Sequence, residues 1–254
     1  MIFDIFGIIT VNISKVIWIQ RVTRNENPFY IKSEHKIKLK EKHAFSDKEL
    51  LEELSRWIRV NKNVPDWPNS ILSRFGSLPA MLLASKDELQ NGLELSEKES
   101  ANIKLFHEVC IRLLKEKIYN CDILKNKYML INYLIAHLSR KQTECFYIYF
   151  LDHKGVVLQE SLQGIGTVNT TSLYIREVTK SALQCNASQI IMVHNHPTGV
   201  AKPSEVDIKL TEMVVHALKV VDIKVVDHLI IGNGCYFSFE ENSLITPSNI
   251  NPAT

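Results

Sequence analysis

Residues 189–207 read QIIMVHNHPTGVAKPSEVD, and this stretch decides the fold of the second half of the chain. It opens on a short apolar run, which predicts a buried strand over residues 189–193. A loop with Gly199 and two prolines follows, and then Ser204 with an acidic residue three positions later, which is typical of a helix start. The stretch therefore predicts a strand, a loop that can fold back, and a helix.

The same stretch carries three side chains that suit a metal ion. His194 and His196 stand two positions apart on an extended segment, so both imidazoles project to the same side. Asp207 falls in the first turn of the predicted helix. Two imidazoles and one carboxylate are the donor set of a catalytic Zn²⁺, which lowers the pKa of a bound water to about 7. Simpler interpretations stay open, with the histidines as turn residues before Pro197 and Asp207 as the partner of Ser204 in a capping box.

Two further residues are candidates for the chemistry. Glu144 opens the first predicted core strand and is a candidate general base that passes a proton to a leaving amine. A surface glutamate is the alternative interpretation. The Ser204 hydroxyl is a candidate for stabilising an oxyanion, and helix capping is its alternative role.

Outward from this stretch, apolar runs and amphipathic segments alternate. A Gly232-Asn233-Gly234 turn between two runs predicts a hairpin. The pattern predicts a mixed α/β sandwich, with strands at 145–151, 156–162, 189–193, 223–231 and 235–239 and helices at 128–140, 172–186 and 203–221.

The first half of the chain has a different character. Residues 46–118 contain amphipathic segments with short connections and Ser-x-x-Glu starts, which predict a small all-helical module. We accordingly divide the chain into an N-terminal extension over 1–44, a helical module over 45–127 and a metal-binding domain over 128–254.

Composition excludes several protein classes. With 45% hydrophobic and 23% charged residues, the chain is neither a disordered polymer nor a polytopic membrane protein. Residues 1–129 carry 21 basic and 17 acidic side chains, a net of +4, which is a weak signal for nucleic acid. Five scattered cysteines argue against a disulfide framework and favour a cytoplasmic location. The uncharged N-terminal run over residues 5–14 is too short for a membrane helix and has no signal cleavage site, so we expect no membrane association.

The motif resembles the signature of the RadC family within the JAB/MPN (JAMM) metalloprotease-like superfamily. His194-Asn195-His196-Pro197, followed by Ser204 and Asp207, carries the resemblance, and Phe146–Asp152 and Asp227–Gly232 are similar to family blocks in the same order. The resemblance implies a JAMM-type mixed sheet sandwiched by helices, with a layout like that of cytidine deaminases. It also implies zinc held by His194, His196 and Asp207, with Glu144 as the acid/base and Ser204 as the oxyanion helper. His228 lacks the spacing of a further ligand, and we interpret it as structural.

The resemblance further implies a zinc-dependent hydrolase of peptide or isopeptide bonds, with a peptide or protein as substrate. The alternative is a DNA-associated accessory protein whose JAMM domain is a scaffold, because the helical module resembles the family's helix-hairpin-helix region. That hairpin normally carries Gly-Ile-Gly, but Glu94 stands at the second glycine, so we expect at most weak DNA association. A nucleoside deaminase would need His-x-Glu and Pro-Cys-x-x-Cys, and the sequence has neither.

Overall fold

The computed structural model describes residues 45–58, 66–166 and 175–245 of the 254-residue chain. The predicted extension over residues 1–44 lies outside these ranges. The helices before the sheet are α1 Asp47–Ile58, α2 Trp67–Phe75, α3 Leu78–Leu83, α4 Lys86–Leu93, α5 Glu97–Tyr119 and α6 Lys127–Leu138. The elements that follow are β1 Cys145–Leu151, β2 Val157–Ile165, α7 Ile175–Gln184, β3 Gln189–Asn195, α8 Glu205–Lys219, β4 Lys224–Ile231 and β5 Tyr236–Ser238.

Helices of the helical region start at the Ser-x-x-Glu patterns of the sequence. Ser85 and Ser96 form capping boxes at the starts of α4 and α5, each with the glutamate three residues later. These pairs satisfy backbone N–H groups that a helix start leaves without partners. The helices enclose a core of their own, which includes Leu51, Ile71, Met81, Leu89 and Ile103. The predicted all-helical module ahead of the sheet is confirmed.

The sheet is mixed, with strand order β2-β1-β3-β4-β5. β1 is antiparallel to both β2 and β3, whereas β3 and β4 run parallel. All seven residues of β1 are buried, as expected for an apolar strand covered on both faces. The predicted mixed sheet is confirmed.

Helices cover both faces of the sheet. On one face, Tyr147 and Tyr149 of β1 pack with Leu130 and Leu134 of α6. On the other face, Ile148 of β1 belongs to a cluster that also contains residues of α7 and α8. The alternation of β1 side chains between these clusters follows from the two-residue period of a strand.

The predicted element bounds differ from the structure by up to three residues, and the largest difference that the structure tests is at the end of β2. β2 continues to Ile165 rather than ending at residue 162, because its pairing with β1 extends to Cys145. The helix predicted over 172–186 is described from Ile175 to Gln184, and residues 167–174 lie outside the described ranges. Within those ranges, no helix combines the length and the apolar run that crossing a bilayer requires.

The connection from β3 through α8 to β4 positions the predicted site. A parallel pair of strands needs a crossover, and α8 supplies it. Ligands of such units gather where strands end and helices begin. His194 is the second-to-last residue of β3, and Asp207 lies in the first turn of α8. The crossover therefore brings the predicted ligands to one end of the sheet.

Candidate metal centre

The three predicted ligands converge in the structure. Nε2 of His194 lies 3.0 Å from Nε2 of His196. Nε2 of His194 also lies 3.3 Å from Oδ1 of Asp207, and Nε2 of His196 lies 3.7 Å from its Oδ2. These separations are close to the roughly 3.3 Å between donor atoms that bonds of about 2.0–2.1 Å around a tetrahedral ion require. The three side chains form one potential metal-binding group.

Local backbone contacts hold the loop that carries His196. The His196 N–H donates to the carbonyl of Ile231 at 2.9 Å, which keeps this residue beside the end of β4. Gly199 then turns the chain with φ of 83°, a left-handed conformation that glycine adopts at little cost. The turn also lets the Gly199 N–H donate to the His196 carbonyl at 2.9 Å, so the loop folds back toward α8.

Asp207 is fixed by the start of its helix. Ser204 is the N-cap of α8, and its N–H and hydroxyl both donate to Oδ2 of Asp207 at 2.7 Å. The predicted capping box is therefore present, and it orients a carboxylate that also faces the histidines. Helix capping and metal ligation are compatible roles for Asp207, because they use different oxygen atoms.

The second carboxylate oxygen provides a test of whether a metal fits. Oδ1 of Asp207 is buried and accepts no hydrogen bond from the described residues. A buried carboxylate oxygen without a hydrogen-bond partner costs free energy unless another positive group satisfies it. Together with two imidazole nitrogens within ligating distance, this oxygen fits a metal ion of the type that nitrogen and oxygen donors prefer.

The protonation of these groups also suits metal binding. Burial lowers the pKa of His194 to about 4, despite the opposing charge of Asp207, so this imidazole is neutral near pH 7. Burial alone would raise the pKa of Asp207, but the nearby imidazoles of His196 and His194 and the hydrogen bonds from Ser204 hold it well below its usual range. Asp207 therefore remains a carboxylate.

His196 behaves differently from His194. Its pKa is raised, first by the Asp207 carboxylate 3.7 Å away and then by the Val200 carbonyl, against the effect of burial. Nδ1 of His196 lies 3.0 Å from that carbonyl, which can only accept, so Nδ1 carries the proton. This leaves Nε2 as the atom that faces His194 and Asp207.

Glu144 lies directly before β1, at the same end of the sheet as His194. Its negative charge contributes to the raised pKa of His196, which places the carboxylate in electrostatic reach of the centre. The backbone of Glu144 is held by a 2.9 Å hydrogen bond from the Gly166 N–H. The role of Glu144 as a general base stays a prediction.

Ser204 is exposed next to the centre, but its hydroxyl already has a partner. It donates to Oδ2 of Asp207 and accepts from the Asp207 N–H at 3.2 Å. Donation to a substrate oxyanion would require this proton to leave Asp207. The oxyanion role of Ser204 stays a prediction, whereas its capping role is observed.

Sequence reasoning did not predict how three further residues contact the centre. Asn195 bonds the segment that carries Glu144, since its Oδ1 accepts from the Cys145 N–H at 2.9 Å. Nε2 of His228 lies 2.8 Å from Nδ1 of His194, and Thr211 contacts His228 in turn. Thr211 has a weak sequence signal, because it stands four residues after Asp207 on the same helix face. His228 has none, because its position depends on the register of β4 against β3.

Comparison with known proteins agrees with this geometry. A sequence profile of the RadC-like JAB domain matches residues 124–244. A UPF0758 protein of Vibrio cholerae is 37% identical over 202 residues, which are 80% of this chain and 90% of that protein. UPF0758 proteins of Haemophilus ducreyi and of a Marinomonas species are 33% and 32% identical, with 89% and 90% of their lengths covered. The chain therefore belongs to the RadC family, and its RadC-like JAB domain carries the His/His/Asp centre.

Proposed function

We propose that this protein is a zinc-dependent hydrolase of peptide or isopeptide bonds. The observation that carries the proposal is the convergence of His194, His196 and Asp207 with a buried carboxylate oxygen that has no hydrogen bond from the described residues. A structural zinc site normally has four protein ligands, whereas three leave a position for water. The donor set therefore favours a catalytic over a structural metal.

The residues of the chain divide the work as follows. His194, His196 and Asp207 would hold the ion, which would supply Lewis acidity and activate a water molecule at neutral pH. Glu144, whose charge acts on His196, would accept a proton from the attacking water and pass it to the leaving amine. Ser204 orients Asp207, and its exposed hydroxyl is the candidate for stabilising an oxyanion.

Metal analysis tests the ligand set. We expect about one zinc per chain in the purified protein, and a loss of that zinc in His194→Ala and Asp207→Asn. His153→Ala is the matched control, because His153 is exposed in the turn between β1 and β2. Equal zinc content in wild type and His194→Ala, or no binding by the wild type, would contradict the metal site.

Activity is a separate measurement. A library of fluorogenic peptides and isopeptide-linked conjugates is the appropriate substrate set. Glu144→Gln should retain zinc and lower the hydrolysis rate by about 10²–10⁴-fold, the usual contribution of a general base. Zinc-loaded protein that cleaves neither bond type would remove the hydrolase proposal while leaving the metal site intact.

The DNA-associated alternative has less support from the site. Glu94 ends α4 in an exposed left-handed conformation at the hairpin, so a carboxylate occupies the place where a phosphate would approach backbone N–H groups. A mobility shift of duplex DNA across a salt series tests this alternative. A salt-dependent shift at physiological ionic strength would favour it over the hydrolase proposal.

A further inference from the structure

A chain of buried hydrogen bonds runs from the candidate metal ligand His194 into α8. Nδ1 of His194 lies 2.8 Å from Nε2 of His228, and Nδ1 of His228 lies 2.7 Å from Oγ1 of Thr211. Oγ1 of Thr211 in turn lies 2.6 Å from the carbonyl oxygen of Asp207. The chain therefore begins at one ligand of the centre and ends on the backbone of another.

The contact between Thr211 and Asp207 determines which atom donates in each of these hydrogen bonds. A carbonyl oxygen can only accept, so two oxygens at 2.6 Å require the Thr211 hydroxyl proton to lie between them. The hydroxyl oxygen then accepts from Nδ1–H of His228. With its single proton on Nδ1, a neutral His228 has a lone pair on Nε2, and it accepts from Nδ1–H of His194.

These hydrogen bonds determine the protonation of Nε2 of His194, the nitrogen that faces the metal site. A neutral imidazole carries one proton, so Nδ1–H in His194 leaves a lone pair on Nε2. This is the nitrogen that lies 3.3 Å from Asp207 and 3.0 Å from His196. If the donors and acceptors of these hydrogen bonds were exchanged, Nε2 of His194 would carry a proton and could not bind a metal.

Burial makes the direction matter. His194 and His228 are 0% exposed and Thr211 is 2% exposed, so solvent water has no access to replace a missing partner. Burial also lowers the pKa of His228 well below its usual value, which keeps this imidazole neutral. The rings are held in place by stacking, with Phe146 against His194 and Phe239 against His228.

We propose that Thr211 and His228 are positioning residues that set the tautomer of His194, so that its Nε2 presents a lone pair to the metal. The proposal rests on the metal site of the proposed function, but not on hydrolysis. Partners of this kind typically contribute 10–100-fold to metal affinity.

Substitution of the hydroxyl gives the sharpest test. Thr211→Val removes the acceptor with little change of shape, which frees His228 to reverse its tautomer and place a proton on Nε2 of His194. Thr211→Ser is the matched control, because it keeps the hydroxyl. We expect zinc affinity, measured by competition with a chromophoric chelator, to fall about 10–100-fold in Thr211→Val and to stay within about 3-fold in Thr211→Ser. Equal affinity in the two variants would overturn the proposal.

The tautomer itself is measured without metal. In ¹⁵N-histidine NMR of the metal-free full chain, His194 should show protonated Nδ1 in wild type and Thr211→Ser, and protonated Nε2 in Thr211→Val. A wild-type His194 with protonated Nε2 would contradict the proposed role of Thr211 and His228, whether or not the protein binds zinc. Failure of wild type to bind zinc, with the expected tautomer present, would instead contradict the proposed function alone.

A second pair of variants covers the case in which Thr211→Val fails to fold. His228→Gln keeps an acceptor for His194 and a donor for Thr211, whereas His228→Met is of similar size and keeps neither. We expect the glutamine variant to retain zinc affinity within about 10-fold and the methionine variant to lose more than that. The reverse order would overturn the proposal.

Discussion

Asn195, between the two histidines, connects the centre to the proposed base. Its Oδ1 accepts from the Cys145 N–H at 2.9 Å, and its Nδ2 donates to the carbonyl of Thr143 at 3.2 Å. These bonds hold the backbone on both sides of Glu144. The buried Asn195 amide thereby links the segment around Glu144 to β3, the strand that carries His194.

Replacing Asn195 should separate rate from metal binding. In Asn195→Ala, the ligands of the centre remain, but the segment around Glu144 loses its tether. We expect zinc content to be unchanged and the hydrolysis rate to fall by about 10²-fold, because small misplacements of catalytic groups have effects of this size. Parallel zinc analysis and kinetics check this, with Asn120→Ala, which removes an exposed amide contact, as control. Loss of zinc in Asn195→Ala would contradict the assignment.

His196 predicts how zinc affinity depends on pH. Asp207 raises the pKa of His196, so the metal-free protein keeps the imidazolium to a higher pH than an isolated histidine does. Zinc must displace that proton, so affinity should rise with pH until the pH exceeds this raised pKa and then level off. Chelator competition between about pH 5.5 and about pH 8.5 measures it. A flat profile would mean that His196 is not a ligand.

At the scale of elements, the end of α4 shows where sequence and conformation conflict. Glu94 has φ of 52°, in the left-handed region where a side chain costs about 1–2 kcal/mol. A glycine at this position would avoid this cost. The helix boundary is nevertheless maintained, because Leu93 and Leu95 on either side are buried in the helical core.

Relieving this strain should stabilise the protein. We expect Glu94→Gly to raise the free energy of unfolding by about 0.5–1 kcal/mol, the relief of strain less the greater unfolded-state entropy of glycine. Glu94→Ala removes the charge but keeps the strain, and it should change stability by less than about 0.5 kcal/mol. Urea denaturation of both variants checks the difference. Equal stability of Glu94→Gly and Glu94→Ala would contradict a conformational cost at this position.

Element starts were predictable, but element ends and contacts between distant elements were less so. Ser85, Ser96 and Ser204 begin helices through bonds to residues three positions away, which a local sequence pattern contains. The end of β2 at Ile165 depends on pairing with β1, and a local pattern does not contain that register. The ligand set was predictable for the first reason, whereas the contact between His228 and His194 was not predictable for the second.

At the scale of the whole molecule, salt bridges connect residues 45–127 with residues 128–245. Lys115 of α5 pairs with Glu160 of β2, and Arg140 after α6 pairs with Glu88 of α4 at 3.4 Å. Lys127, at the start of α6, lies 2.8 Å from Asp227 of β4. Residues from the predicted helical module and the predicted metal-binding domain thus contact each other directly.

Of these three salt bridges, we expect the one between Lys127 and Asp227 to contribute most to stability. Asp227 is 2% exposed, and removal of its partner leaves a buried carboxylate without a countercharge. Burial by itself would lower the pKa of Lys127, but Asp227 and neighbouring acidic side chains raise it above its usual range. We expect Lys127→Met to lower the free energy of unfolding by about 3 kcal/mol. Thermal and urea unfolding measure this, and the exposed Lys125→Met should change stability by less than about 0.5 kcal/mol.

The ligands come from both ends of one short loop. His194 and His196 lie at the end of β3 and Asp207 lies at the start of α8, so an ion bound to all three would cross-link residues 197–206 into a closed ring. A removable cross-link of this kind restrains local opening more than it restrains the distant core. Metal removal should therefore appear first as faster amide hydrogen exchange in this loop and in the first turn of α8, while exchange in β1 stays slow.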